Sequence, residues 1–104
     1  MPKTSLLRKP GEFERVYKQG KRLRGRGFAL ITLPNGLGFN RIGISIHRRI
    51  KGAVRRNRLK RIIRESFRLN RGCFPAGSDI VFTVRSDFTL TSPAEIDRAV
   101  SLLH

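Results

Sequence analysis

Between Arg48 and Arg71 the chain carries Arg48, Arg49, Lys51, Arg55, Arg56, Arg58, Lys60, Arg61, Arg64, Arg68 and Arg71, with Glu65 as the single acid. Cations at this density do no covalent chemistry themselves. They neutralise phosphate, and each such contact releases condensed counterions from a nucleic acid. Arginine outnumbers lysine 17 to 6 over the whole chain, which favours phosphate forks and base stacking over diffuse point charge. Groups that could do bond-making chemistry are sparse. The acids Glu12, Glu14, Glu65, Asp79, Asp87, Glu95 and Asp97 are scattered over separate elements, with no D-x-D or H-x-x-E-H grouping to hold the ions of a metal nuclease. His47 and His104 are the only histidines and supply no acid–base pair. The expectation is a binding protein with no catalytic residue and no metal ligand of its own.

The rest of the composition agrees. A formal net charge of +16 on 104 residues, with a sequence pI near 11.9, implies self-repulsion that an anionic partner would offset. Nucleic acid fits better than a membrane surface, because the basic segment lacks tryptophan and its apolar face is short. Cys73 is the only cysteine, so no intramolecular disulfide or thiol metal cluster is expected, and it reads as a small half-buried apolar residue. No run of about 18 apolar residues occurs, and Met1-Pro2-Lys3-Thr4 opens no apolar signal region. The length is that of one domain, residues 1–104, and the location expected is cytoplasmic.

These cations need elements to position them. Val54, Leu59, Ile62, Ile63 and Phe67 recur at helical spacing and predict a helix over 53–70, with Gly72 as its stop. Lys60, Arg61, Arg64 and Arg68 gather on the face away from Leu59, Ile62, Ile63 and Phe67, with Arg58 at its border. Residues 1–9 read as a basic, flexible arm with two leucines. Pro10, Glu12 and Glu14 then start a short helix that ends at Gly20, with Phe13, Val16 and Tyr17 on one face. An aromatic pair at i, i+4 reads first as core packing. Residues 28–33 form a strand candidate closed by Pro34-Asn35-Gly36, and 21–25 could form a further short one. Over 41–47, Ile42, Ile44 and Ile46 alternate with Arg41, Gly43, Ser45 and His47, which predicts a half-buried strand with a small, polar open face. Residues 79–85 read as a central strand. Ser92, Pro93 and Glu95 cap a last helix over 93–103 that buries Ile96, Val100 and Leu103. This order predicts an α+β sandwich of helices on a small sheet.

The segment Ala53-Val-Arg-Arg-Asn-Arg-Leu-Lys-Arg-Ile-Ile-Arg-Glu65 resembles the signature of the bacterial ribonuclease P protein subunit. The family's Arg-Asn-Arg core falls on Arg56-Asn57-Arg58, followed by Lys60-Arg61 and Arg64. The Phe-x-x-Val-Tyr-x-x-Gly helix at 13–20, Arg26-Gly27-Phe28, Arg41-Ile-Gly-Ile-Ser45 and Asp79-Ile-Val81 before Arg85 also match, in order, over about residues 8 to 103. The resemblance implies a two-layer α-β-β-β-α-β-α fold of the ribosomal protein S5 domain 2-like kind. It further implies a left-handed βαβ crossover, against the general right-handed preference.

It also implies that a large RNA subunit, working with Mg²⁺, cleaves the 5′ leader from precursor tRNA. The protein would be a monomer, one per RNA, and would not itself catalyse. Arg55, Arg56, Asn57, Arg58, Lys60, Arg61, Arg64 and Arg68 would then bind the RNA subunit, although Asn57 could equally serve a local backbone hydrogen bond. Phe13, Tyr17 and Phe28 would line a cleft for the single-stranded leader, where bases stack on aromatic faces. Ser45, His47, Arg48, Arg49, Lys51 and Arg85 would floor or close that cleft. Two rival readings remain on the residues alone. One is a structural ribosomal-RNA binder without a substrate cleft. The other is a duplex-DNA regulator using 53–70 as recognition helix, for which no helix-turn-helix partner is apparent.

Overall fold

The computed structural model describes residues 6–103. Its order is α1 (Pro10–Gln19), β1 (Lys21–Arg24), β2 (Phe28–Pro34), β3 (Arg41–Ile46), α2 (Ala53–Leu69), a single 3-10 turn (Arg71–Cys73), β4 (Ser78–Val84) and α3 (Pro93–Ser101). The short strand expected near 21–25 is present, and the fold is an α+β sandwich in the order expected. The strands lie side by side as β1-β2-β4-β3. β4 is central, antiparallel to β2 and parallel to β3, so β3-α2-β4 forms a parallel crossover unit. Its near-continuous apolar run suits a strand covered on both faces.

Strand alternation sends the two sets of side chains to different layers. Phe28, Leu30, Ile42, Ile46, Ile80, Phe82 and Val84 face α2 and α3, where they meet Leu59, Ile63, Phe67, Ile96 and Val100. The rings of Phe28 and Phe82 stack at 5.0 Å, with Phe88 edge-on to both at 6.2 Å. On the opposite face a smaller cluster joins Leu7 and Val16 to Ile31 and Val81, with Phe13 and Leu33 packed against it. Thus α1 crosses one face of the sheet while α2 and α3 cover the other. α3 starts as expected: Ser92 Oγ accepts the Glu95 N–H at 3.3 Å, and the Glu95 carboxylate accepts the Thr91 N–H at 2.9 Å.

Two glycines permit α1's close approach. A Cβ on Gly43 would lie 2.5 Å from the Phe13 ring, and one on Gly20 would lie 2.9 Å from Ile31 Cγ2. Of the expected N-terminal arm, Leu6 and Leu7 dock on the edge strand: Leu6 bridges Ile42, the Leu7 N–H donates to the Ile42 carbonyl at 2.9 Å, and Leu7 is buried. The remainder of the arm, residues 1–5, lies outside the described residues.

One expectation for α2 is corrected. Val54 is 85% exposed and is not part of the apolar stripe. It stands nine residues before Ile63, about 180° around the helix, so the shared spacing misplaced it.

An ion-pair latch ties α1 to the sheet. Asp79 is 3% exposed and accepts both forks of Arg41, from Nε and an Nη at 2.7 Å each. The other Arg41 Nη reaches Glu12 at 3.2 Å, and Asn35 Nδ2 adds a bond to Asp79 at 2.9 Å. Glu12 in turn accepts the N–H groups of Arg8 and Lys9 at 3.1 Å, holding the entry to α1.

Candidate nucleic-acid interface

The open part of the sheet lies beside α1. Register aligns Ser45 with Thr83, Thr83 with Ala29, and Ala29 with Arg24 in one cross-strand row on the α1 face. The neighbouring row of Gly43, Val81, Ile31 and Arg22 runs beneath α1. With Val16 pointing at the sheet, Glu12 and Tyr17 stand about 140° apart around the helix. Glu12 is held on the Arg41–Asp79 side, so Phe13 and Tyr17 occupy the flank above the Ser45–Arg24 row. Tyr17 is 38% exposed. The floor is polar and small: Thr83 Oγ1 donates to the Ala29 carbonyl at 3.1 Å. Beyond it a hollow of about 140 Å³ is lined by Arg22, Arg24, Ala29, Thr83 and Arg85.

The end of the cleft is basic. The His47 N–H donates to the Val84 carbonyl at 2.9 Å, which sets the β3–α2 turn beside Arg85. His47 Nδ1 accepts the Arg49 N–H at 3.1 Å, and the side chains of His47, Arg48, Arg49, Lys51 and Arg85 are exposed. The first turn of α2 holds no acid. The positive end of that helix therefore adds to these cations rather than being offset by a carboxylate.

Phe28 does not line the cleft. It is fully buried, stacked on Phe82 on the far face of the sheet. Its place in β2 puts it in the same register parity as Leu30, whereas Ala29 and Ile31 face α1. Arg22 and Arg24 were not expected at this site but form its far side. The alternation in Lys21-Arg22-Leu23-Arg24 was the available signal, since a paired strand places Arg22 and Arg24 on one face.

On the other side of the sheet, α2 turns a cationic surface outward. Arg55, Arg58, Arg61 and Arg64 are exposed together with Asn57, and none of these arginines is ion-paired among the described residues. Lys60 is half-buried beside Arg64, at the groove between α2 and the β3 edge. Arg68 forms an exposed i, i+3 pair with Glu65, an arrangement that holds a side chain only loosely.

Arg56 has an internal role that its sequence motif did not reveal. Its guanidinium donates to the carbonyls of Ile50 at 2.9 Å, His47 at 3.2 Å and Ile46 at 3.3 Å. It sits two turns before Ile63, on the inner side of the helix, and so fastens the β3–α2 turn instead of joining the outer cationic face. Arg71, from the same basic run, lies over the Phe67 ring at 4.9 Å and donates to Asn40 Oδ1 at 3.0 Å.

The chain is thus a basic α+β domain with a cation-bearing helix on one side of its sheet and an aromatic-walled cleft on the other. The Ribonuclease P family model matches residues 1–104. The ribonuclease P protein component of Desulfotalea psychrophila is 54% identical over 103 residues, covering 99% of this chain and 86% of that protein. The solved ribonuclease P protein of Thermotoga maritima superposes with a TM-score of 0.81 at 35% identity over 93% of each chain. That of Staphylococcus aureus gives 0.79 at 29% identity, covering 95% of this chain and 91% of the other. The chain belongs to the bacterial ribonuclease P protein family, as the non-catalytic component of the ribonucleoprotein that removes the 5′ leader of precursor tRNA.

Proposed function

We propose that the two basic surfaces divide the work: the outer face of α2 binds the catalytic RNA subunit, and the cleft beside α1 binds the leader of precursor tRNA. The observation that carries this reading is their separation by the sheet, which lets one chain touch two RNAs at once. Arg55, Asn57, Arg58, Lys60, Arg61 and Arg64 are assigned to the RNA subunit, with Arg68 at the margin. Phe13 and Tyr17 offer stacking faces to the leader. Ser45, Arg22, Arg24, Arg85 and the His47–Lys51 turn offer polar and cationic contacts to its backbone. One protein per RNA, acting in the cytoplasm, completes the proposal.

The Mg²⁺ of the holoenzyme is read as RNA-held. Six of the seven carboxylates are already engaged: Glu12 and Asp79 with Arg41, Glu14 with Lys18, and Glu65 with Arg68. Asp97 accepts from Ser66 and Asn70, and Glu95 caps α3. Among the described residues no three candidate ligands gather.

The test is reconstitution with a bacterial ribonuclease P RNA at low Mg²⁺, followed by precursor-tRNA cleavage. Stimulation over RNA alone is expected, and its absence would defeat the reading. In the same system Arg64→Ala is expected to weaken RNA-subunit binding and to lower the slope of log Kd against log salt by about one. Tyr17→Ala is expected to weaken precursor tRNA about tenfold while leaving mature tRNA unchanged, given the usual worth of one stacked base. Equal losses for both ligands would return Tyr17 to a packing role.

A further inference from the structure

The inner flank of α2 carries a second kind of feature, on the opposite side of the sheet from the leader cleft. A groove of about 360 Å³ opens between α2 and the segment joining β4 to α3. Its floor and walls are apolar: Ile62 and Leu90 are half-buried, above the buried Leu59 and Phe88. Arg55 and Arg58 stand on its rim, exposed and without an ion pair or hydrogen bond among the described residues. The hydroxyls of Thr89 and Thr91, also lining it, make no hydrogen bond there either. Asp87 and Glu95 flank this segment in sequence, yet neither lines the groove, and Glu95 is turned to the Thr91 N–H.

Apolar walls with a doubly cationic rim match a ligand that is flat and apolar on its faces and anionic at one edge. We propose that this groove is a slot for a single unstacked nucleotide of the RNA subunit, its base between Ile62 and Leu90 and its phosphate on Arg55 and Arg58. This deepens, and rests on, the reading that α2 binds the RNA subunit. The volume lies at the small end of ligand sites, roughly 300 Å³ and upward, which suits one base and not a helix. Charge complementarity favours RNA over an apolar partner, and the planar guanidinium can both fork to a phosphate and stack on a base. Unpaired, splayed-out bases are the elements of folded RNA that proteins recognise individually. The leader is a poor occupant, since the cleft that suits it lies across the sheet.

The test uses the full chain with a bacterial ribonuclease P RNA, reading affinity against salt and the reactivity of each unpaired base to a methylating probe. Wild-type protein is expected to protect one nucleotide whose protection depends on the slot. Leu90→Ala should weaken binding about fivefold to tenfold, the loss expected when part of one leucine's buried apolar contact is removed. It should leave the salt slope unchanged and expose that one nucleotide alone. Arg58→Ala should instead lower the salt slope by about one. Thr89→Leu, at an exposed position that narrows the slot without entering the core, should expose the same nucleotide. That second variant decides the matter should Leu90→Ala lower thermal stability.

Binding within twofold of wild type and an unchanged protection pattern in both variants would overturn the slot while leaving α2 as the RNA-binding face. A uniform loss of every protection in Thr89→Leu would also overturn it. Failure of the wild-type chain to bind the RNA would defeat both this proposal and the reading beneath it.

Discussion

Asp79→Ala is expected to cost about 3–5 kcal/mol of folding stability, the usual penalty for stranding one partner of a buried ion pair, measured as the loss of unfolding free energy in urea. Arg41 would keep its charge with only Glu12 beside it, and Asn35 would lose its acceptor. The cost should reach function through geometry. The latch holds the first turn of α1 against β3 and β4, so loosening it should disorder the helix that carries Phe13 and Tyr17 before it disturbs α2. Leader-dependent binding of precursor tRNA should therefore fall more than RNA-subunit binding in the folded fraction. Equal losses would show that the latch does not set the cleft wall.

The same latch predicts a pH dependence. Burial alone would push the Asp79 carboxyl up, but the hydrogen bonds from Arg41 and Asn35 and the Arg41 charge outweigh it, leaving the group below its ordinary value. Glu12 is also lowered, chiefly by the Lys9 backbone N–H, against some burial, with help from Arg8 and Arg41. A carboxylate depressed in the folded state stabilises fully above its unfolded value, about 4 for these groups, and less as pH falls through its folded value. The stability curve of the wild type should thus drop below about pH 4. That of Asp79→Asn, already lower at neutral pH, should be flatter there. Parallel acid limbs would remove Asp79 as a source of the drop.

Phe28→Ala is expected to be comparably costly, about 3–5 kcal/mol, as a large side chain removed from a packed core. Its ring is fully buried, stacks on Phe82 and meets the edge of Phe88. Because it points away from the cleft, the preference for precursor over mature tRNA should survive in whatever fraction stays folded. That separates it from Tyr17→Ala, which should alter the preference and barely touch stability. A lost preference in folded Phe28→Ala would contradict its placement behind the sheet.

Phe28 and Tyr17 part ways in the fold although their residue types and setting in the motif are alike. Both are aromatic, and the family motif spans both. α1, α2 and α3 could be placed from spacing and caps because a helix start or stop depends on a few neighbouring residues. The alternation of Ile42, Ile44 and Ile46 likewise identified β3 and its apolar face. What spacing could not supply was which side of the sheet α1 would cover. Phe28 and Ile31 both lie on β2, and only pairing with β4 and the crossing of α1 decides that one faces the main core and the other the α1 layer.

The cations divide in the same way. Composition and clustering were enough to name a polyanion as the partner, since charge density is a property of the chain and survives any folding. The share of each arginine was not. Arg56 is drawn inward by three carbonyls at the end of β3, Arg71 lies over Phe67, and Arg22 and Arg24 arrive at the cleft through β1. Each of these outcomes depends on groups distant in sequence or on a turn whose carbonyls converge only after β3 and α2 have docked. The sequence by itself determined the partner class, the family motif and the helical and strand faces, because those follow from local periodicity and net charge. Only the tertiary structure decided which cations and aromatics are left exposed, because that depends on which surfaces the long-range packing covers.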